Sequence, residues 1–182
     1  TYVDEESRKK ALQRLEDEIS VSEREQAATV NAQIADIKQK RDHKIAELKH
    51  KQVLTEQGYD EGIAEQMEPI IKEGQKLEKI LQDQMGEAAR NAIFFDSTGE
   101  KILDAGEKVN NKHITHVQKS VQKKMETLEN ELKDKKQHEL DEIKTQSAAI
   151  KAQADLEMEA LRGALENDST TSSNNSSRLR DE

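Results

Sequence analysis

Residues 114–132 read "ITHVQKSVQKKMETLENEL", and their apolar side chains recur in steps of three, four and four residues. The apolar positions are Ile114, Val117, Val121, Met125, Leu128 and Leu132. Such steps return to one side of an α-helix. This stretch therefore predicts a helix that buries a narrow apolar stripe, which we call the seam.

The same spacing repeats every eleven residues along most of the chain. Eleven residues over three turns is about 3.67 per turn, a period typical of helices that pack nearly straight or with a weak right-handed supercoil. Before residue 90 the seam positions are Leu12, Leu15, Ile19, Glu23, Gln26, Val30, Ile34, Ile37, Arg41, Ile45, Leu48, Gln52, Glu56, Tyr59, Ile63, Met67, Ile70, Gly74, Glu78, Leu81 and Met85. After residue 113 the seam consists of the six apolar positions of residues 114–132 named above, followed by Lys136, Glu139, Ile143, Ser147, Ile150, Ala154, Met158, Leu161 and Leu165. A stripe this narrow suits one or two partner helices.

Polar residues occupy several seam positions, among them Arg41, Gln52, Lys136 and Glu139. A buried polar residue in a helical seam costs stability and fixes the register or the oligomeric state. Alternatively, these positions face solvent where the partner helix ends or splays away. The sequence supports both interpretations, and we predict these four residues as candidate register-setting positions.

The composition excludes several protein classes. Of 182 residues, 32% are hydrophobic, 37% charged and 2% aromatic, which is not the mixture that fills a globular core. The net charge of −9 argues against nucleic-acid binding, which requires a basic surface. The chain has no cysteine, so disulfide and thiolate chemistry are absent. We therefore predict an all-α fold, an elongated antiparallel helical hairpin or coiled coil with eleven-residue repeats.

Two stretches interrupt the helical pattern before residue 100. The first, "QGYDEG" at 57–62, carries two glycines and is followed by Pro69, so a true break and a bent, continuous helix are equally compatible with it. We expect helices over about residues 4–57, 61–92 and 99–165. The corresponding segments are a helical arm at 1–57, a tip region of bent or broken helix plus a turn at 58–106, a second arm at 107–166 and a flexible Ser/Asn-rich tail at 167–182.

The second interruption is "IFFDSTGEKIL" at 93–103. Ser97 and Glu100 have the spacing of a helix capping box, which favours a helix-to-helix turn. A small β-hairpin around Asp-Ser-Thr-Gly is the alternative, although an isolated two-stranded hairpin is marginally stable. The Asp-x-Thr-Gly order resembles the phosphorylated loop of P-type ATPases and haloacid-dehalogenase phosphatases, but the sequence contains no βαβ units to support that site. We therefore predict that Asp96 belongs to a turn.

Other candidate sites are sparse. His113 and His116 are spaced i, i+3, and Glu47 precedes His50 in a single Glu-x-x-His, whereas a metal-binding bundle needs two such motifs. We predict no catalytic residue, cofactor or metal. Tyr59, Phe94 and Phe95 lie at predicted breaks and are the candidate partner contacts, since aromatic residues dominate interface anchors. The interpretation that we prefer for these aromatic residues is that they close the ends of the helical seam.

These features favour a non-enzymatic coiled-coil protein that acts as a stalk, spacer or scaffold subunit. The alternative is a binding module that presents the 58–106 tip to a partner, as a helical-hairpin chaperone or receptor-binding protein does. We expect protein partners, either a second copy in a homodimer or other long-helix subunits, with no nucleic acid and no membrane surface. The sequence gives no targeting signal; a soluble, cytoplasmic protein is preferred over an organellar or extracellular one.

Overall fold

The chain forms a long helix, two strands of a small antiparallel sheet and a second long helix, in that order. Their bounds are α1 (Tyr2–Asp83), β1 (Ile93–Phe95), β2 (Glu100–Leu103) and α2 (Asn111–Asp181). The computed structural model describes the backbone of residues 2–181 and the side chains of residues 4–168. The two helices pack against each other, which confirms the predicted helical hairpin. Long runs of Ala, Glu, Lys, Gln and Leu favour both helices, because these side chains lose little rotamer freedom there.

The chain divides into two compact units. The arm unit combines residues 1–49 with residues 144–182, and the head unit comprises residues 50–143. Each unit contains segments of both α1 and α2, and the head unit also contains the sheet. The predicted division at 57, 106 and 166 follows sequence composition and stays a prediction.

The predicted interruption at 57–62 does not end α1, which continues through Gly58, Gly62 and Pro69. The expected boundaries at residues 57 and 61 are therefore wrong, and the continuous helix, which the sequence allowed equally, is present. The expected end at residue 92 is also wrong, because α1 ends at Asp83. A proline inside a helix removes one backbone hydrogen bond, but Ile70, directly after Pro69, is 6% exposed in the apolar core of the head unit. Packing of the seam on both sides of the interruption maintains the helix.

The second long helix also differs from its predicted bounds. It begins at Asn111 instead of near residue 99, because the intervening residues form β2 and the chain segment that follows it. It continues to Asp181 and so includes the segment that we predicted as a flexible tail. The side chains of that tail from residue 169 onward lie outside the described residues.

The preferred helix-to-helix turn at 93–103 is wrong, and the alternative hairpin is present. Strand β1 pairs antiparallel with β2, with Phe94 opposite Lys101 and Phe95 opposite Glu100, and a bulge lies between Ile93 and Phe94. Alternate side chains of β1 are buried: Ile93 and Phe95 point into the core, and Phe94 is exposed. Tertiary packing supplies the support that an isolated hairpin lacks.

The core of the head unit joins both helices to the hairpin. Its buried members are Ile70, Leu77, Leu81, Ala89, Ile93, Phe95, Ile102, Leu103, Val109 and Val117. Phe95, Leu81 and Val117 are fully buried, one from each of the three elements. Burying an apolar side chain of this size stabilises the fold by about 1.5–3 kcal/mol. The hairpin is thus an integral layer of the head unit.

Burial along the helices follows the eleven-residue spacing. In the arm unit a second apolar cluster contains Ile34, Ala154 and Met158, with Val30, Ile37 and Leu161 packed against it. Almost all predicted seam positions among the described side chains are buried or half-buried, whereas Gln26, Gln52, Met85 and Glu139 are exposed. The period read from the sequence therefore identifies the packed face of both helices.

Candidate functional site

The antiparallel backbone pairing of the hairpin extends beyond strands β1 and β2 towards the two helices. Residues 86–89 pair antiparallel with residues 106–109: Gly86 N donates to Val109 O at 2.9 Å, Val109 N to Glu87 O at 2.9 Å, and Ala89 N to Glu107 O at 2.8 Å. Gly106 N returns a bond to Ala89 O at 2.7 Å. These bonds connect the end of α1 to the start of α2 and fix the base of the hairpin.

The tip of the hairpin is the four-residue turn Asp96–Gly99. Thr98 N and Gly99 N both donate to Phe95 O, at 3.1 and 2.8 Å. Gly99 has a φ of 74°, a left-handed conformation that a residue without Cβ adopts without strain. Asp96 is exposed in this turn, as predicted from the turn-forming residue types around it.

The predicted capping box at Ser97 and Glu100 is wrong. Ser97 donates from its backbone N to Glu73 Oε1 at 3.3 Å, and its Oγ donates to Glu73 Oε2. Glu100 is the first residue of β2, so no helix begins there. Because Glu73 lies ten residues before the end of α1, the hairpin folds back along the helix instead of extending away from it.

A second contact holds the hairpin to α2. His116 Nε2 lies 2.8 Å from Glu100 Oε1, and Ser120 Oγ donates to Glu100 Oε2 at 2.9 Å. The hydrogen bonds from His116 and then Ser120 lower the pKa of Glu100. Both donors converge on the carboxylate, and the Ser120 hydroxyl donates to Glu100 and not to the imidazole of His116. This is the geometry of a docking contact, in contrast to a nucleophilic triad, where histidine lies between serine and carboxylate.

Another histidine closes the start of α2. Asn110 Oδ1 accepts from Lys112 N at 2.9 Å, and Asn110 N donates to His113 Nδ1 at 3.1 Å. The pair forms a reciprocal capping box in which histidine takes the place usually held by Glu or Gln. Since Nδ1 accepts, the neutral ring carries its proton on Nε2, which lies 3.3 Å from Glu107 Oε1.

Glu107 joins this cap to the hairpin. Its Oε2 accepts from Asp104 N at 2.9 Å, and its Oε1 contacts His113. The backbone hydrogen bond from Asp104, followed by the contact with His113, lowers the pKa of Glu107. His113 is 8% exposed, so the cap lies at the edge of the core of the head unit.

The three predicted aromatic contacts occupy different environments. Phe95 is fully buried, which corrects its assignment as a partner contact, because the outward-facing strand position belongs to Phe94 instead. Phe94 is 44% exposed, and Lys101 Nζ lies 5.9 Å from its ring centroid. Tyr59 is half-buried and donates from its hydroxyl to Glu139 Oε1 at 2.8 Å, a bond that raises its pKa.

Two of the predicted register-setting residues form contacts between α1 and α2 within the head unit. Glu139 accepts the Tyr59 hydrogen bond, and Lys136 Nζ lies 3.2 Å from Asp60 Oδ1. Both pairs are at the accessible border of the seam, and an exposed ion pair such as Lys136–Asp60 contributes about 0–1 kcal/mol. Gln52 is exposed. The roles of these residues in setting register remain predictions.

Arg41, the fourth predicted residue, lies in the arm unit. Its side chain is 25% exposed, and its Nε donates to the neighbouring Asp42 at 3.0 Å. It borders a groove of about 470 Å³ whose walls include Ile37, Ile150 and Ala154. This part of the seam is incompletely filled, and Arg41 and Ala154 both line the groove.

Two of the three remaining histidines pair with carboxylates along their own helices. His43 contacts Glu47 at 3.0 Å and His138 contacts Glu142 at 3.2 Å. Within the described side chains, no three His, Asp or Glu residues converge in a way that could hold a metal ion. Over that same part of the chain, neither helix contains a stretch apolar enough, at sufficient length, to cross a bilayer.

The sequence missed the contacts that dock the hairpin. Glu73, Glu107 and Ser120 are common residue types in a chain that is 37% charged, and nothing in their local spacing distinguishes them from solvated positions. Asn110 followed by His113 has the spacing of a capping box, the one local signal that could have located the start of α2. No family model, curated protein or solved structure matches this chain.

Proposed function

We propose that this chain is a non-enzymatic structural protein, a stalk, spacer or scaffold subunit whose helices pair with further helices. The observation that carries the proposal is incomplete burial of the seam. Leu12, Leu15 and Ile19 in the arm unit, and Leu128 and Leu132 in the head unit, are only half-buried. Covering such residues with another helix gains about 25 cal/mol per Å² of apolar surface.

Exposed apolar side chains outside the seam also support this role. Val21 and Leu156 in the arm unit are 51% and 63% exposed, and Val53 and Leu54 in the head unit are 49% and 54% exposed. Single exposed apolar residues are common on protein surfaces. These exposed residues lie on helices whose seam side chains are only half-buried, which favours association with other helices.

The polar clusters of the head unit support a structural role over a catalytic one. His116 and Ser120 of α2 both bond to Glu100 of the hairpin, and Glu107 with His113 closes the start of that helix. Each group is engaged in docking the hairpin. Catalysis requires a base or nucleophile directed at a bound substrate, and these contacts supply neither.

Cross-linking with mass spectrometry in the source cells tests the scaffold role. The many lysines of both helices are the reactive sites, and we expect cross-links at regular intervals to a second copy or to another long-helix protein. Cross-links confined to the hairpin, with none along the arms, would contradict a spacer. Circular dichroism of the purified chain is the control, since the proposal requires a helical protein in isolation.

A second candidate function is presentation of the hairpin to a partner protein. The supporting observation is the outward position of Phe94, 44% exposed beside Lys101, on a strand whose neighbours Ile93 and Phe95 are buried. An aromatic ring held on a rigid support is a favourable interface anchor. Phe94→Ser should abolish capture of such a partner, whereas Leu156→Ser, a matched exposed position in the arm unit, should have no effect.

A further inference from the structure

Leu54 is the most exposed large apolar side chain of the head unit among the described residues, at 54%. It lies on α1 with Lys51 before it and with Gly58 and Glu61 after it. Steps of three and four residues place these four on one side of the helix, and all four are exposed. We call this surface the Leu54 face.

Gly58 has no packing role within the chain. A Cβ built on it would meet no atom within 4 Å, and its φ is not in the left-handed range. Glycine inside a helix lowers helix stability relative to alanine. An exposed leucine one turn from an exposed glycine therefore forms a projection and a depression on the same face, without an intramolecular reason for either.

The two charged residues of the Leu54 face lie symmetrically about position 56, and so do Leu54 and Gly58. Lys51 and Glu61 each lie five residues from position 56, and Leu54 and Gly58 each lie two residues from it. Neither Lys51 nor Glu61 forms an ion pair in the portion of the chain that the structure describes. An antiparallel copy centred at this level would set Leu54 over Gly58 and Lys51 beside Glu61, twice each.

We infer that the Leu54 face is a homodimer interface in which a second copy of this chain docks antiparallel on α1. A two-fold interface requires a self-complementary patch, so that residue i contacts residue j and residue j contacts residue i. The Leu54 face meets this condition in shape and in charge. The inference rests on the proposed scaffold function and names its helical partner as a second copy.

Charge exchange in the full chain tests the interface by sedimentation velocity over a concentration series. Lys51→Glu alone or Glu61→Lys alone places like charges together twice in each dimer, and we expect dimerisation to weaken about tenfold. The double variant K51E/E61K recreates both pairs with the signs reversed and should restore wild-type dimerisation. Such rescue within one chain is specific to self-association, because a different partner would not carry the reversed charges.

Shape is tested by Gly58→Leu and Leu54→Glu. Leucine at position 58 fills the depression and favours the helix, so we expect unchanged helicity and weakened dimerisation; Leu54→Glu should weaken it as well. Val21→Glu, at an exposed apolar position in the arm unit, is the matched control and should leave the dimer unchanged. Circular dichroism of each variant checks that the fold is intact.

A wild-type chain that stays monomeric throughout the series overturns the inference, as does a dimer unaffected by every change on the Leu54 face. In the second case the scaffold function survives, since the contact then lies on the seam. A monomer that nevertheless cross-links to another long-helix protein also leaves the scaffold function standing. Absence of both kinds of helical partner removes the proposed function as well.

Discussion

Gly74 of α1 lies directly against Val121 of α2, and a Cβ added to the glycine would stand 2.6 Å from Val121 Cγ2. Real Cβ atoms do not approach other atoms this closely, so the two helices come together here because residue 74 has no side chain. Gly74 occupies a predicted seam position, and Val121 is one of the apolar seam residues of the stretch 114–132. The missing side chain at residue 74 therefore allows the close approach of α1 and α2 at this position.

Gly74→Ala should therefore destabilise the protein by about 1–3 kcal/mol through overpacking, despite the better helix propensity of alanine. Urea unfolding followed by circular dichroism measures the change. Gly163→Ala is the control: a Cβ at Gly163 meets nothing within 4 Å, so this variant should gain up to about 1 kcal/mol. The double variant G74A/V121A should recover part of the loss; equal stabilities for Gly74→Ala and wild type would refute the contact.

The neighbouring phenylalanines should respond differently to truncation. Phe95 is fully buried in the core of the head unit, so Phe95→Ala should cost about 3–5 kcal/mol. Phe94→Ala removes a ring that is 44% exposed and should cost less than about 1 kcal/mol. Chemical unfolding of both variants gives the comparison. Similar losses at the two positions would show that the hairpin does not bury alternate side chains of β1.

The cap of α2 should depend on both of its partners. Asn110→Ala removes the acceptor of the Lys112 N–H, and we expect a loss of about 1 kcal/mol. Asn110→Asp keeps an acceptor oxygen and should retain most of the stability. His113→Gln preserves the chemistry of a capping box, whereas His113→Ala does not. Thermal unfolding ranks the four variants, and the cap would be excluded if the alanine variants matched their conservative counterparts.

Acid should loosen the hairpin through Glu100 and Glu107. The folded-state pKa of each is lowered below the ordinary value of 4.5, so the unfolded chain binds protons first as the pH falls. The stabilisation is present above about pH 4.5 and is lost as the pH passes down through the lowered pKa values. We expect Glu100→Gln to reduce the acid dependence of unfolding below about pH 4.5, where the unfolded chain begins to bind protons ahead of the folded one.

Ser120→Ala provides an independent test of the same contact, because it removes one of the hydrogen bonds that lower the pKa of Glu100. It should reduce the acid dependence in the same direction and by a smaller amount. Glu65→Gln, an exposed change elsewhere on α1, is the matched control. An acid profile that is identical in wild type, Glu100→Gln and Ser120→Ala would contradict the docking role of Glu100.

The sequence by itself determined the helical class and the packed faces of α1 and α2. Apolar residues at three- and four-residue steps must lie on one side of a helix, so positions such as Ile34, Val117 and Met158 could be assigned to the seam without knowing the partner. The same local physics identified Asp96 as a turn residue. It did not decide between a break and a continuous helix at Gly58, Gly62 and Pro69, where α1 continues.

Only the tertiary structure decided what "IFFDSTGEKIL" becomes. Ser97 and Glu100 have the spacing of a helix cap, and Ile93–Phe95 are residue types that also suit a strand, so the local pattern fits both. The hairpin forms because Phe95 and Leu103 enter a core with Leu81 and Val117, residues that are distant in sequence. Glu73 and His116 then hold the hairpin against the two helices. Long-range burial and hydrogen bonding outweighed local propensity, and neither can be read from the residues of the hairpin alone.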